Sequence, residues 1–480
     1  MTEITKSAKQ VRKSVAWRVR PGEQRVLLLV GDVIAVSIAL FFALYFWAER
    51  GAEWLRFGPE FLQVRPPFWF YLMPAAWLIL LVELYDSRRA LSRMDTLKGT
   101  SLAALIGLAI YLPVYFMTKG VNLPRYGVVV FIFFAFVLTL IWRNIFIGIF
   151  SMPRFMRRVL IVGAGRSGTT LLRILDDLWP PPFYVVGLID DDEEKIGAKL
   201  GNYTVLGGCS RLLHIVKEEC VSDLIFSISG EMSGSMFQAI LEAEEQGVEV
   251  TTMPVFYEET LGRVPIFHLD TDWILRSFVD QAHASGFYEI AKRLIDVFGG
   301  FVGSLGTLIL LPFIALAIVL DSGFPIFFLQ NRLGKNGKTY EIIKFRTMRQ
   351  DSEHDGEVRT TTQNDDRITR VGVFLRKSHL DELPQFINVL KGEMSLVGPR
   401  AERSELVAKL QQNIPFYRAR LLVKPGITGW AQVNFGYAAT VEDTAVKLEF
   451  DLYYIKHRTL LTDFIILLRT AGAVFGLRGQ

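Results

Sequence analysis

Gly299-Gly-Phe-Val-Gly-Ser-Leu-Gly-Thr-Leu-Ile-Leu-Leu-Pro312-Phe-Ile-Ala-Leu-Ala-Ile-Val-Leu320 decides how this chain is arranged about a membrane. The stretch runs 22 residues without a charge, long enough to cross a bilayer as one helix. A crossing would carry everything after Leu320 to the far side. Yet Lys292 and Arg293 precede it and Arg332, Lys335 and Lys338 follow it, and basic flanks stay on the cytoplasmic face. Pro312, near the middle, removes a backbone donor and breaks or kinks a helix. Charge and proline together predict a re-entrant hairpin over about residues 299–320 that enters and leaves on one side.

The rest of the composition agrees with a membrane setting. Hydrophobic residues make up 51 % of 480 and mean hydropathy is +0.30, with the apolar residues gathered in long blocks. A net charge of only +4 gives no sign of a nucleic-acid partner. Cys209 and Cys220 form no CxxC pair and are expected as free thiols. The six histidines are scattered without a zinc spacing. Residues 1–25 are basic and are expected as a cytoplasmic N-terminal segment. Over 26–150, apolar runs at Val26–Trp47, Phe68–Leu84, Leu102–Met117 and Tyr126–Trp142 predict a four-helix transmembrane bundle. Arg88, Arg89, Arg93 and Lys98 in the second loop, and Arg143, Arg154, Arg157 and Arg158 after the fourth run, put both ends of that bundle in the cytoplasm. Asp32, inside the first run, is expected to snorkel or to pair with Arg25.

Residues 157–280 change character. Arg158-Val-Leu-Ile-Val-Gly163-Ala-Gly165-Arg-Ser-Gly168 reads as strand, glycine loop and helix, and a second strand, Tyr184–Ile189, ends at Asp190. Further strands are expected at Val205, Asp223–Ser227 and Val248–Thr252, with helical patterns between them. The alternation predicts a Rossmann-like α/β domain with a parallel sheet. Gly163, Gly165, Gly168 and Asp190 match the dinucleotide fingerprint, so a nucleotide or dinucleotide is one expected ligand. Such folds also serve as regulatory modules that bind nothing, and both readings stand.

The chemistry gathers in residues 285–480. Lys344-Phe-Arg346-Thr-Met follows a glycine-rich turn. Leu375-Arg376 precedes Ser378-His379-Leu-Asp381-Glu382-Leu-Pro-Gln385. Ser395-Leu-Val-Gly-Pro399-Arg400 and Lys424-Pro-Gly-Ile-Thr428-Gly-Trp-Ala-Gln432-Val-Asn come next. Singly these are surface loops and turns, and Ser378 with Asp381 could be no more than a capping box. Together they predict a basic, glycine-rich pocket around one acidic pair, suited to magnesium-dependent chemistry on a diphosphate.

In that motif order the chain resembles the bacterial sugar transferase family, the polyprenyl-phosphate hexose-1-phosphate transferases. KFRTM, LRxxxLDELPQ, SLVGPR and VKPGITGWAQVN carry the resemblance over about 285–478. The whole chain resembles the large members, which place four membrane helices and a Rossmann-like, CoA-binding-like domain ahead of an α-rich monotopic catalytic domain. The resemblance implies a multi-pass protein of the bacterial inner membrane, its catalytic part on the cytoplasmic face. It implies transfer of a hexose 1-phosphate from a UDP-sugar to undecaprenyl phosphate with release of UMP, starting exopolysaccharide, capsule or O-antigen assembly. Asp381 corresponds to the nucleophile, Glu382 to its Mg²⁺-binding partner, and Arg376 and Arg400 to phosphate-holding arginines. Lys344, Arg346, Pro399, Lys424, Thr428 and Gln432 are the further substrate-site candidates, Pro312 the hairpin proline, and a homodimer the implied assembly. The chain departs from the family pattern at Leu311, where a serine often precedes the proline, at Phe435, and at His457-Arg458-Thr459.

Two other readings remain at this stage. Tyr288-Glu-Ile-Ala-Lys292 satisfies the YxxxK pattern of nucleotide-sugar dehydratases and epimerases, which also pair membrane helices with a dinucleotide-binding domain. The other is a non-catalytic scaffold that regulates polysaccharide assembly.

Overall fold

The computed structural model describes residues 21–50, 56–85, 87–117, 125–150, 156–176, 183–227, 232–267, 286–349, 367–436 and 440–474. Most of the basic N-terminal segment and the expected loop cation Arg154 lie outside them. The chain divides into two compact units, Met1–Phe256 and Tyr257–Gln480.

In the first unit, the helices Pro21–Glu49 and Arg125–Phe150 are long and apolar enough to cross a membrane. They pack through small and aromatic residues: Val36, Ala39 and Ala43 are buried with Val128, Phe131 and Ala135, and Phe42 stacks on Phe134 at 4.8 Å. Small side chains let two apolar helices approach closely where lipid offers no hydrophobic drive. The other two expected spans take different forms. Phe68–Leu84 is broken into a 3-10 turn at Phe68–Leu72, an eight-residue helix at Met73–Leu80 and a second 3-10 turn at Val82–Tyr85. Pro74, in the first turn of the short helix, has no N–H to carry the preceding turn onward. The third is a helix, Arg93–Met117, whose first turns are polar. Among the described residues, it is not one of the helices long and apolar enough to cross.

Asp32 does not pair with Arg25. The fully buried Arg143 guanidinium donates from Nη2 to Asp32 Oδ2 at 2.7 Å and from Nε to Oδ1 at 3.3 Å. Tyr85 Oη donates to Asp32 Oδ2 at 2.7 Å, and Arg143 Nη1 to the Leu84 carbonyl at 3.1 Å. Arg143 is therefore a buried helix residue and not the loop cation its place after Trp142 suggested.

The α/β part follows at once. Strands Arg157–Val162, Phe183–Ile189, Asp223–Phe226 and Glu249–Thr252 form a four-stranded parallel sheet in the order second, first, third, fourth. Leu160, Val162, Ile189 and Leu224 bury against Leu212 and Ile215 of the helix Cys209–Glu218 and Ile240 and Ala243 of Gly234–Glu245. Val205 forms only an isolated bridge to Leu188.

The second unit is built along the 37-residue helix Gly286–Ser322. The expected break at Pro312 is corrected: the helix runs through it, since proline removes one hydrogen bond and leaves the apolar turns on either side intact. Its buried residues are Tyr288, Asp296, Gly300, Thr307, Ile314 and Ile318, a single stripe at helical spacing. At one end Arg293 donates to the Val389 and Leu390 carbonyls at 2.9 and 2.8 Å. At the other, Ile314 and Ile318 pack with Phe345 and Leu375. Both ends thus rest on the same unit. Phe298, Phe301, Leu305, Leu308, Phe313, Leu316 and Leu320 are exposed on the rest of the helix. The core behind it joins Val389, Met394, Val397, Leu448, Leu452, Tyr454 and Ile466.

Removing one partner of the Asp32–Arg143 pair leaves the other charge buried, which costs about 3–5 kcal/mol. Arg143→Leu is expected to unfold at lower SDS in detergent micelles, and the double change Asp32→Leu with Arg143→Leu to recover much of the loss. Equal instability of the single and double variants would contradict a locking role for the pair.

Candidate active site

The antiparallel hairpin Phe327–Leu333 and Thr339–Phe345 turns at Asn336 and Gly337, both at positive φ, and presents Lys344 and the residues just after it. Asn388, fully buried, ties this hairpin to the helix Gln385–Lys391. Its Nδ2 donates to the Glu341 carbonyl at 2.7 Å, and its Oδ1 accepts from Ile343 N at 3.1 Å. Sequence reasoning missed Asn388, because an apolar-flanked Asn carries no motif signal.

The acidic pair sits on neither helix. Ser378 caps the C-terminus of Arg370–Lys377, with its hydroxyl bonded back to the Phe374 carbonyl at 2.8 Å. The chain turns at His379, in the left-handed region at φ 55°, and Asp381 and Glu382 follow on the 3-10 turn Leu380–Glu382. The capping box is therefore corrected: Ser378 serves the preceding helix. Left-handed backbone is uncommon for a residue other than glycine and points to a constrained site.

A cleft of about 510 Å³ opens at this turn. Among the described residues, seven cations line it (Arg332, Lys344, Arg346, Arg349, Arg376, Arg400 and Arg403) against the carboxylates of Asp381 and Glu382. Glu382 Oε1 accepts from Lys344 Nζ at 2.8 Å and from Arg400 Nη2 at 2.6 Å. Arg376 Nε donates to Thr347 Oγ1 at 2.9 Å. Burial works against the charge of Glu382, yet Arg400 and Lys344 hold its carboxyl well below the usual carboxylate range. Burial pushes Asp381 the other way, and the Glu382 charge adds to that, against the pull of Lys344, Arg376 and Arg400. Burial also lowers Lys344, with Glu382 opposing. Two adjacent carboxyls are thus driven apart, one held ionised and one protonating more readily.

The other candidates divide. Arg346 lines the cleft, but its guanidinium bonds the Ser322, Gly323 and Phe324 carbonyls and so braces the exit of the long helix. Pro399, Lys424, Thr428 and Gln432 are not among the residues lining the cleft. The Pro399 carbonyl accepts from Gly426 N at 2.9 Å, Thr428 Oγ1 meets Thr470 Oγ1 at 2.6 Å, and Gln432 Nε2 donates to the Ile427 carbonyl at 3.1 Å. The VKPGITGWAQVN stretch supplies the strand Gly426–Thr428, which pairs in parallel with Ser395–Val397 ahead of Arg400. Arg420, absent from the sequence candidates, is buried with Nη2 on the Arg400 carbonyl at 3.0 Å and on Asp451 Oδ2 at 2.8 Å. Burial pushes Asp451 up to about 6 despite Arg420.

Tyr288 and Lys292 spend their polar atoms elsewhere than on a cofactor. Tyr288 Oη donates to Asp463 Oδ2 at 3.1 Å. Lys292 Nζ donates to the same oxygen at 2.8 Å and to the Val397 carbonyl at 3.1 Å. In the α/β part, Gly163 N bonds the Ile189 carbonyl at 2.7 Å, and a Cβ on Gly168 would stand 2.1 Å from the Gly163 oxygen. Gly165 has open space around it. Asp190 Oδ2 accepts from Ala164 N at 2.7 Å. Its carboxylate thus occupies a loop N–H of the kind a pyrophosphate would use.

Arg376 is one of the cations that hold the Asp381 carboxyl down, so Arg376→Gln is expected to raise its titration further. Carbodiimide labels protonated carboxyls, and peptide mass spectrometry locates the label. Half-labelling of Asp381 is expected at higher pH in the variant than in the unsubstituted protein, with Glu382 unlabelled in both. An unchanged or lower midpoint would contradict the electrostatics given above.

Comparison with known proteins adds the identity of this fold. Residues 287–477 match the model described as bacterial sugar transferase, and residues 81–254 that of a CoA-binding domain. A UDP-N-acetylgalactosamine-undecaprenyl-phosphate N-acetylgalactosaminephosphotransferase of Aeromonas hydrophila is 42 % identical over 47 % of this chain and 54 % of its own length. A UDP-glucose:undecaprenyl-phosphate glucose-1-phosphate transferase of Xanthomonas campestris pv. campestris is 34 % identical over 56 % of each. The chain thus spans about half the length of these two relatives. An exopolysaccharide production protein of Rhizobium leguminosarum bv. phaseoli is 38 % identical over 38 % of this chain and 93 % of its own length. With that match along nearly a whole relative, the chain belongs to the bacterial sugar transferase family.

Proposed function

We propose that this protein moves a sugar 1-phosphate from a UDP-sugar to undecaprenyl phosphate. The observation that carries the proposal is the pair Asp381–Glu382 at a cation-lined cleft, with Glu382 held ionised by Lys344 and Arg400. A diphosphate entering the cleft meets a field of positive charge, which favours its binding and lowers the repulsion felt by an attacking carboxylate. Asp381 is the assigned nucleophile. Its carboxylate oxygen attacks the phosphorus that bears the sugar, the bond from that phosphorus to the bridging oxygen breaks, and UMP leaves. A phosphate oxygen of the lipid acceptor then attacks the same phosphorus, releases Asp381 and forms the lipid diphospho-sugar. Arg400, half exposed in the cleft, is free to follow phosphate oxygens as charge moves between them.

Magnesium fits this residue set. Among the described residues no group of three or more His, Cys, Asp or Glu could hold a metal by itself. Mg²⁺, however, commonly takes one or two carboxylates together with substrate phosphates, and Asp381 and Glu382 would provide them. Bound there, the ion would offset charge on the diphosphate.

The membrane assignment is part of the same proposal. The apolar face of Gly286–Ser322 lies in the cytoplasmic leaflet as a re-entrant element. Its support is the stripe that keeps both ends on one unit and the exposed apolar residues on the remaining faces. Pro325, Phe327 and Phe328 line the cleft, and Phe324 beside them is exposed, so a lipid phosphate at the interface has an apolar approach to Asp381. The segment Phe68–Tyr85 and the helix Arg93–Met117 complete four passes with the two long helices of the first unit. The sugar named for the Aeromonas relative differs from that of the Xanthomonas relative, so the donor is to be found by trial.

Protein in lipid nanodiscs is incubated with Mg²⁺ and a panel of UDP-hexoses and UDP-N-acetylhexosamines. One donor is expected to give a burst of UMP equal to the enzyme without acceptor, and continuous release once undecaprenyl phosphate is added. Asp381→Asn is expected to lose both phases by more than about 1000-fold, as befits removal of a nucleophile. Undiminished UMP release by that variant would refute the mechanism.

A further inference from the structure

The helix with the exposed apolar face also holds both halves of the cleft. Thr307 Oγ1 shares its proton between the Gly303 carbonyl of its own helix at 2.7 Å and, more weakly, the Leu383 carbonyl at 3.2 Å, one residue beyond Glu382, and Arg293 caps the last carbonyls of Gln385–Lys391. On the other side of the cleft, Ser395–Val397 is a strand of three residues with one strand neighbour among the described residues, Gly426–Thr428. Side chains of the long helix bond its other edge. Asp296 Oδ1 accepts from Leu396 N and from Ser395 Oγ, both at 2.9 Å. Lys292, one helical turn earlier, donates to the Val397 carbonyl, which Tyr454 Oη also reaches at 3.2 Å. Lys292 and Asp296 thus occupy the place of a missing edge strand. Three residues past Val397 stands Arg400, whose guanidinium meets Glu382.

We propose that Asp296, supported by Lys292, is a positioning residue for Arg400: it sets the register of the Ser395–Val397 strand against the same helix that carries the Asp381–Glu382 turn. A carboxylate at Asp296 does not touch the cleft, and it acts through the strand. The inference rests on the assignment of Arg400 to phosphate binding in the proposed transfer.

The test is a double-mutant cycle in the full-length protein in nanodiscs, with rates normalised to folded enzyme. Asp296→Leu removes the acceptor for Leu396 N, and is expected to lower kcat/KM about 10- to 100-fold, as a small displacement of a charged group does. Asp296→Asn keeps an oxygen at the same place and is expected to stay within about threefold. In an Arg400→Gln background, Asp296→Leu is expected to add less than about a further twofold, because the two changes act on one interaction. Lys292→Met, which leaves Tyr454 on the Val397 carbonyl, is expected to fall between the two Asp296 variants and replaces Asp296→Leu in the cycle if that variant does not fold. Losses that multiply in the Arg400→Gln background, or full activity in Asp296→Leu, overturn the inference while leaving the transferase assignment standing. Failure of the unsubstituted protein to release UMP from any donor in the panel overturns the assignment itself, and this inference with it.

Discussion

Glu382 Oε1 takes a hydrogen bond from Lys344 on the β-hairpin and another from Arg400 beyond the Ser395–Val397 strand. The three groups come from segments that have nothing in common along the chain. Glu382 and Lys344 are largely withdrawn from water while Arg400 is half exposed, so neither of the two buried groups can hold its charge alone without a desolvation cost. Mutual neutralisation keeps the carboxylate ionised and both cations turned inward. Much of the second unit keeps these segments in place: Asn388 ties the hairpin to the helix after the pair, and Arg420 with Asp451 fixes the Arg400 carbonyl. Asp381, next to Glu382 on a tight turn, meets the same cations without a hydrogen bond from them among the described residues, and burial leaves it the more easily protonated of the two.

The long helix solves a different problem. Its exposed face is apolar and unsuited to water, yet its buried stripe carries Asp296, Thr307 and, beside them, Lys292 and Arg293, which bond backbone groups of the second unit. One element therefore presents an apolar face and at the same time serves as the frame of a highly charged cleft. That combination suits a reaction in which one proposed substrate is a lipid phosphate and the other a water-soluble nucleotide sugar. In the first unit the Asp32–Arg143 pair follows the same rule of burying charge only in matched, hydrogen-bonded form.

Periodicity, hydropathy and residue type made much of this legible. The parallel sheet could be anticipated from Arg158–Val162, Tyr184–Ile189, Asp223–Ser227 and Val248–Thr252, because alternating apolar runs and glycine turns are local properties of the chain. The Asp381–Glu382 pair and the cations Lys344, Arg376 and Arg400 could be picked out from the motifs, and they share one cleft. Lys424, Thr428 and Gln432 were equally prominent in sequence and lie outside it, since a KPG-type stretch can build a strand as readily as bind a phosphate. Ser378 has the spacing of an N-cap and caps the other way, because its hydroxyl reaches the Phe374 carbonyl first.

By itself, then, the sequence determined the apolar segments, the α/β alternation and the types of charged group available, all set by neighbours a few residues apart. Tertiary structure alone decided that Arg143 answers Asp32, that Pro312 sits within an unbroken helix, that Tyr288 and Lys292 serve Asp463, and that Asp296 supports the strand leading to Arg400. Each is a contact across 90 residues or more, or a helix kept continuous with packing at both ends. Such partners are selected by the desolvation cost of buried polar groups, which no local pattern records.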